Sequence, residues 1–288
     1  MFAPYVMAQE KGYFAEEGID LEIVQIGAAI SVKALIGGDH QVDGAGASAM
    51  AAILQGAPLR LVMIQTERLP WWIFAKPGIN SIPELKGKRM GTPTLGSALD
   101  ITAGMLLKKS GVDPQKDVVW IATGVGANMI TAIKAGAIDA GVFDDSAAFQ
   151  AKQEGLTELA WVGKEFDIVT GGLATTEKLI KEKPDLLKRF VRAGLKGYLY
   201  FKAQSPQAIE SFTKYSGLEP KKAKEYYDLS VTYSTTTGVA TDEALKLSLD
   251  IQKQASGVKE DFSIGQVWDL RLAKQAGEEL KAEGWKPK

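Results

Sequence analysis

GAAISVKALIGGDHQVDGAG, residues 27–46, returns in shorter form as GANMITAIKAGAIDAGVF, residues 126–143. Each copy opens on Gly-Ala, runs through apolar residues at helical spacing, breaks at glycine, and passes an aspartate (Asp43, Asp139) into a short run of small and apolar residues. That is a helix followed by a strand, written twice about 100 residues apart. A repeated α/β unit predicts two related lobes, and two lobes predict a ligand cleft between them. Helix N-termini at such a cleft carry backbone N–H groups with no partner inside the helix, which suits a small polar or anionic molecule.

Outward from the repeat, residues 4–17 have helical spacing, with Val6, Met7, Tyr13 and Phe14 on one face and Gly18 as the stop. Strand-like runs follow at 21–26, 59–65, 89–92, 118–121, 140–143, 159–162 and 169–174, with helical stretches between most of them. The alternation predicts an α/β fold with mainly parallel sheets. Ser81 and Glu84 have the spacing of a capping box. The first crossing between lobes is placed near Gly78 and the second within 167–172. Beyond Thr176 the pattern is helical, at 184–203, 205–215, 220–233 and 242–255. Lobe I is therefore expected to comprise residues 1–78 and 172–288, and lobe II residues 79–171.

Composition excludes several function classes. With 34 basic and 35 acidic residues among 288, the net charge is -1 and no basic tract stands out, so nucleic acid is not an expected partner. No apolar run reaches the roughly 18 residues that span a bilayer, and Met1 is not followed by the basic and apolar regions of an export signal. The chain has no cysteine, hence no disulfide, thiolate nucleophile or cysteine-bound metal. Its single histidine, His40, lies in a polar turn and is expected to be solvated. No metal and no cofactor is expected. A cysteine-free chain also fits an oxidising compartment.

Four segments carry a family resemblance: AQEKGYFAEEGIDLEIV (8–24), DGAGAS (43–48), FAKPGINSIPELKGKRMGTPTLGSALD (74–100) and IKAGAIDAGVFDD (133–145). In content, order and spacing they resemble the periplasmic solute-binding proteins of ABC importers for nitrate, taurine and sulfonates, together with the thiamine-precursor (NMT1/THI5-like) binding proteins. The resemblance implies the two-lobed periplasmic binding protein (type II) fold and a monomer outside the cytoplasm. It also implies a small-molecule solute and a membrane permease with its ATPase as partners. The family opens with a strand ahead of the first helix and carries an export signal. Neither is seen ahead of residue 4, which reads as a shortened chain.

The candidate site follows from loops at strand ends. GTPTLGSALD (91–100) places Thr94 and Gly96 in a turn and Ser97 at a helix N-cap, where free N–H groups suit a carboxylate, sulfonate or phosphate oxygen. Ser48 holds the analogous place after Gly44-Ala-Gly-Ala in the first lobe. Asn128 offers an amide after Gly124 and Gly126, where the absence of a following Gly-Lys-Ser/Thr excludes a nucleotide P-loop. Asp144 and Asp145 follow a strand, where α/β sheets place ligand groups, and would select an amine or another hydrogen-bond donor. Of Trp71 and Trp72, side-chain alternation sends only one toward the ligand. Arg68 is either a counter-ion or a solvated side chain, and Gly171 marks the second crossing.

No nucleophile, base or metal set accompanies these residues, so the expected activity is binding without catalysis. The alternative is an enzyme of thiamine-pyrimidine or menaquinone biosynthesis on the same fold. The pyrimidine synthases carry a cysteine-rich motif that this chain lacks. A regulator's effector domain would require a helix-turn-helix ahead of it. A taurine-like zwitterion or a polar heterocycle fits both the helix N-termini and the aspartates.

Overall fold

The computed structural model describes residues 2–124, 126–170 and 172–287. In chain order the strands are β1 Val42–Asp43, β2 Leu59–Met63, β3 Trp71–Ala75, β4 Lys88–Thr92, β5 Val118–Ala122, β6 Ala140–Asp144, β7 Thr157–Trp161 and β8 Leu173–Thr176. The helices are α1 Ala3–Glu10, α2 Tyr13–Glu16, α3 Ala28–Gly37, α4 Gly46–Leu54, α5 Ala98–Lys109, α6 Gly126–Lys134, α7 Asp145–Gln153 and α8 Val162–Glu165. They continue with α9 Glu177–Glu182, α10 Pro184–Lys202, α11 Pro206–Ser216, α12 Pro220–Tyr233, α13 Asp242–Ser256, α14 Ile264–Val267 and α15 Arg271–Ala282.

The chain forms two compact units: unit 1 is Met1–Glu67, Val169–Ser248 and Glu260–Lys288, and unit 2 is Arg68–Ile168 and Leu249–Lys259. The repeat places one helix-strand pair in each unit, α3 with β1 and α6 with β6. The first crossing falls between Glu67 and Arg68, ahead of Gly78, because β3 pairs with β6 and β7 and belongs to their sheet.

Unit 2 holds a sheet in the order β5-β4-β6-β3-β7. β4 runs parallel to β5 and β6, while β3 is antiparallel to β6 and β7, so the sheet is mixed. The reason lies in the connections: α5 joins β4 to β5 and α6 joins β5 to β6, which are the crossovers parallel strands require, whereas β3 enters without one. All five residues of β3, WWIFA, are buried, as befits an interior strand with both faces covered. Ser81 does not complete a capping box. It precedes a 3-10 turn, Ile82–Leu85, and its hydroxyl donates to Glu84 Oε1 at 2.7 Å.

Asp139, the aspartate of the second repeat, is 5% exposed and locks this sheet together. It accepts from Lys76 Nζ at 2.7 Å, the Arg89 amide at 3.0 Å and Arg89 Nε at 3.3 Å. Burial pushes the carboxyl up, but these donors outweigh it and hold the group well below the usual carboxylate range. A depressed folded value adds stability above the unfolded pKa and loses it as pH falls through the folded one. Asp139→Asn is therefore expected to lower the urea midpoint most at neutral pH. Its deficit against the parent should shrink below about pH 4, as urea titrations at several pH values will read.

Unit 1 has a small sheet, β1-β8-β2, in which both β1 and β2 are antiparallel to β8. Its helical layer is centred on α10, whose apolar face packs on α1, α2 and α15. A Cβ on Gly197 would strike the Pro4 carbonyl, so glycine there lets α1 lie against α10. Residues 4–17 are not one helix. Gly12 adopts φ 76° and divides the stretch into α1 and α2.

At the far end of α2, Lys196 is buried with its ammonium 2.8 Å from Glu17 and 3.1 Å from Glu16. Arg192 Nε reaches the same Glu17 at 2.8 Å. Residues 21–26, expected as a strand, form no strand ladder. Strand hydrogen bonds need a neighbouring edge, which periodicity alone does not supply. No described helix is long and apolar enough to cross a membrane.

Candidate functional site

In unit 2 the parallel strands β4, β5 and β6 all end at one edge of the sheet, and the sequence-predicted residues of this unit collect there. β3 runs the other way, so its first residue, Trp71, begins at that edge directly opposite Asp144. The loops after β4 and β5 are fastened to each other: Thr123 N donates to Thr92 O at 2.9 Å, and Gly124 N to Pro93 O at 3.2 Å.

Thr94 and Gly96 stand exposed in the turn after β4. Ser97 is the N-cap of α5, its hydroxyl accepting from the Asp100 amide at 3.4 Å. The turn is not an open anion cradle, however. Gly96 N donates to Asp100 Oδ2 at 2.7 Å, and Ser97 N to Thr94 O at 3.2 Å. Burial raises the Asp100 carboxyl above its ordinary value, with the Gly96 amide working against it. Sequence reading assigned Asp100 no role. Its spacing of four residues from Gly96, in the first helical turn, was the available signal.

Asp144 is the N-cap of α7, exposed, with Oδ1 accepting from the Ala147 amide at 2.9 Å. Asp145 begins that helix and is half-buried. Asn128, in the first turn of α6, is exposed, and its amide nitrogen approaches Gly124. A Cβ on Gly126 would penetrate that of Ala147, so the starts of α6 and α7 meet at a position only glycine fits.

Trp72 points away from Trp71 and stacks on Trp161, rings 5.7 Å apart and 11° from parallel. Trp161 was not foreseen; its Nε1 donates to Leu69 O at 2.8 Å. Trp71 is 8% exposed and Trp72 2%. Arg68 is neither free in solvent nor unpaired: it donates to Gly163 O at 3.1 Å and faces Asp167 at 3.4 Å.

In unit 1, Ser48 is the third residue of α4 and not its cap, a position held by Ala45. His40 is likewise not a solvated loop residue. Its Nε2 lies 3.1 Å from Asp43 Oδ2, and Asp43 also accepts from Ser31 Oγ and, at 2.6 Å, from the Ala45 amide. This carboxylate joins three groups within unit 1, and Ser31 and His40 each meet it separately, so no hydroxyl-imidazole relay is formed. Gly171 lies outside the described residues. Among the described residues no three histidine, aspartate or glutamate side chains are grouped as metal ligands.

The family model described as NMT1/THI5 like matches residues 1–209. The riboflavin-binding protein RibY of Chloroflexus aurantiacus is 26% identical over 222 residues, covering 73% of this chain and 61% of that protein. The 4-amino-5-hydroxymethyl-2-methylpyrimidine phosphate synthase of Schizosaccharomyces pombe is 34% identical over 145 residues, 48% of this chain and 40% of the enzyme. The chain thus spans less than two thirds of the length of either relative. Among solved structures, the periplasmic aliphatic sulphonate binding protein SsuA of Escherichia coli superposes with a TM-score of 0.77 at 17% identity, covering 93% of this chain and 89% of that one. At this identity the likeness is one of fold.

Proposed function

Because this chain belongs to the NMT1/THI5-like family, and its fold is that of the periplasmic binding proteins, we propose that it is a non-catalytic solute receptor. It captures a small organic molecule at the C-terminal edge of the unit 2 sheet and delivers it to a membrane permease driven by an ATPase. It works outside the cytoplasm, as a monomer.

The observation that carries the reading is the pairing of Trp71 with Asp144 across β3 and β6, at the edge where the Thr94–Ser97 turn and Asn128 also lie. Trp71, buried at the start of β3, gives that edge an apolar base, and the exposed carboxylate of Asp144 accepts a donor. The solute class is a polar heterocycle or zwitterion that turns a donor toward Asp144. A bare anion fits less well, since Asp100 already occupies the Gly96 N–H and adds its own negative charge. The flavin ligand in the name of RibY points to the same heterocyclic class. An enzyme reading draws support from the identity with the pyrimidine phosphate synthase. Product analysis by mass spectrometry separates the two.

Thermal-shift and calorimetric titrations against heterocycles, taurine, sulfonates and nitrate test the proposal. Ligand at 100 times its Kd adds about 2.7 kcal/mol to stability. Asp144→Asn is expected to weaken a donor-bearing heterocycle by roughly tenfold or more, the scale of a hydrogen bond to a charged group. Asp100→Ala should free the Gly96 amide and improve sulfonate affinity. Unchanged affinities for every solute in both variants would remove the site assignment.

A further inference from the structure

The chain passes between the two units four times, after Glu67, Ile168, Ser248 and Lys259. Three of these passages run through non-helical chain, which turns about a few φ/ψ angles. The one at Ser248 lies inside α13, whose residues 242–248 belong to unit 1 and 249–256 to unit 2. A helix resists bending because each turn is closed by hydrogen bonds to the turn before it. Left intact, α13 would brace the two units. Its sequence, DEALKLSLDIQKQAS, has no proline or glycine at which to yield.

Ser248 supplies another way. Its hydroxyl donates to Ala244 O at 2.6 Å, the carbonyl that in an α-helix receives the N–H of residue 248 itself. A serine that bonds back by one turn in this manner loosens and bends its helix. The same oxygen accepts from the Val169 amide at 3.0 Å. Val169 is the first residue of unit 1 after the second passage. Ser248 and Val169 are 3% and 2% exposed, so water does not stand in for either group. One buried hydroxyl thus touches two passages at the residues where each changes unit.

The second passage is in turn fastened to the first. Within unit 1 the hydroxyls of Thr66 and Thr170 lie 3.0 Å apart. Within unit 2 Arg68 donates to Gly163 O at 3.1 Å and faces Asp167 at 3.4 Å.

We propose that Ser248 is the pivot of a hinge, a positioning residue whose hydroxyl makes the bend of α13 and the turn of the second passage a single motion. The use of this hinge in taking up a solute rests on the receptor reading; the hinge itself does not.

The test uses the whole chain without solute. Ser248→Ala leaves the Val169 amide without its acceptor and returns the Ala244 carbonyl to the helix ladder. Amide exchange, read by NMR, should quicken at least tenfold at Val169 and slow at least threefold in residues 248–252. A loss of stability alone would quicken both. Because the chain has no cysteine, Lys116→Cys in unit 2 and Lys181→Cys in unit 1, both at exposed positions, take one spin label each. The distribution of distances between the labels, from double electron–electron resonance, should be at least twice as wide in Ser248→Ala as in the parent. Ser248→Thr, which keeps the hydroxyl, should keep the parent width. Exchange that changes in the same direction in both segments, or equal widths in the parent and Ser248→Ala, overturns the proposal. Opposite signs in a chain that binds no solute would uphold the hinge and remove the receptor reading instead.

Discussion

Lys196→Met is expected to lower the stability of the protein by about 3 kcal/mol, read as a reduced urea midpoint with an unchanged slope. Removing one partner of a buried ion pair typically costs about 3–5 kcal/mol, because the other is left charged and dry. Here the effect sits at the lower end. Glu17 keeps Arg192, and Glu16 is half in solvent. Lys196 ties the end of α2 to α10, and methionine there puts apolar surface where a buried ammonium met two carboxylates. Glu17→Gln added to Lys196→Met should cost less than the two single losses summed, since both singles break the same Lys196–Glu17 pair; a double variant as unstable as that sum would contradict this.

The pH dependence has a definite sign. Burial pushes the Glu17 carboxyl up, but Lys196 and Arg192 more than compensate and hold it below the usual glutamate range. The contribution is therefore present above that range and fades as pH falls through the folded value.

Gly126→Ala should disturb the candidate site most. The added methyl would collide with Ala147 Cβ and force apart the first turns of α6 and α7, where Asn128 and the Asp144 cap are set. Overpacking of this kind costs about 1–3 kcal/mol in stability. Solute affinity should fall further than in any single-contact variant, because two loops move together. Ala147→Gly in the same chain makes room for the methyl. It is expected to restore binding while retaining a helix cost of up to about 1 kcal/mol. If calorimetry finds binding still lost in the double variant, the defect lies elsewhere than in this contact.

What the amino-acid order determined is local. The Pro220–Tyr233 helix was legible to the residue, because proline at its first position and apolar spacing are both properties of the segment itself. The repeated Gly-Ala, helix, Asp, strand pattern held for α6 with β6, whereas in the first copy the strand β1 ends at Asp43 and the small residues after it open α4. The tertiary structure decided whatever depends on a partner remote in sequence. Residues 21–26 have strand composition yet form no ladder, since a strand exists only against another edge. Gly96 looked like a free donor until Asp100 turned back onto it. Trp72 found Trp161 only because β3 pairs with both β6 and β7. Propensity and caps act over one or two turns of chain; hydrogen-bond ladders, ring stacks and charge pairs are settled by which segments the fold brings together.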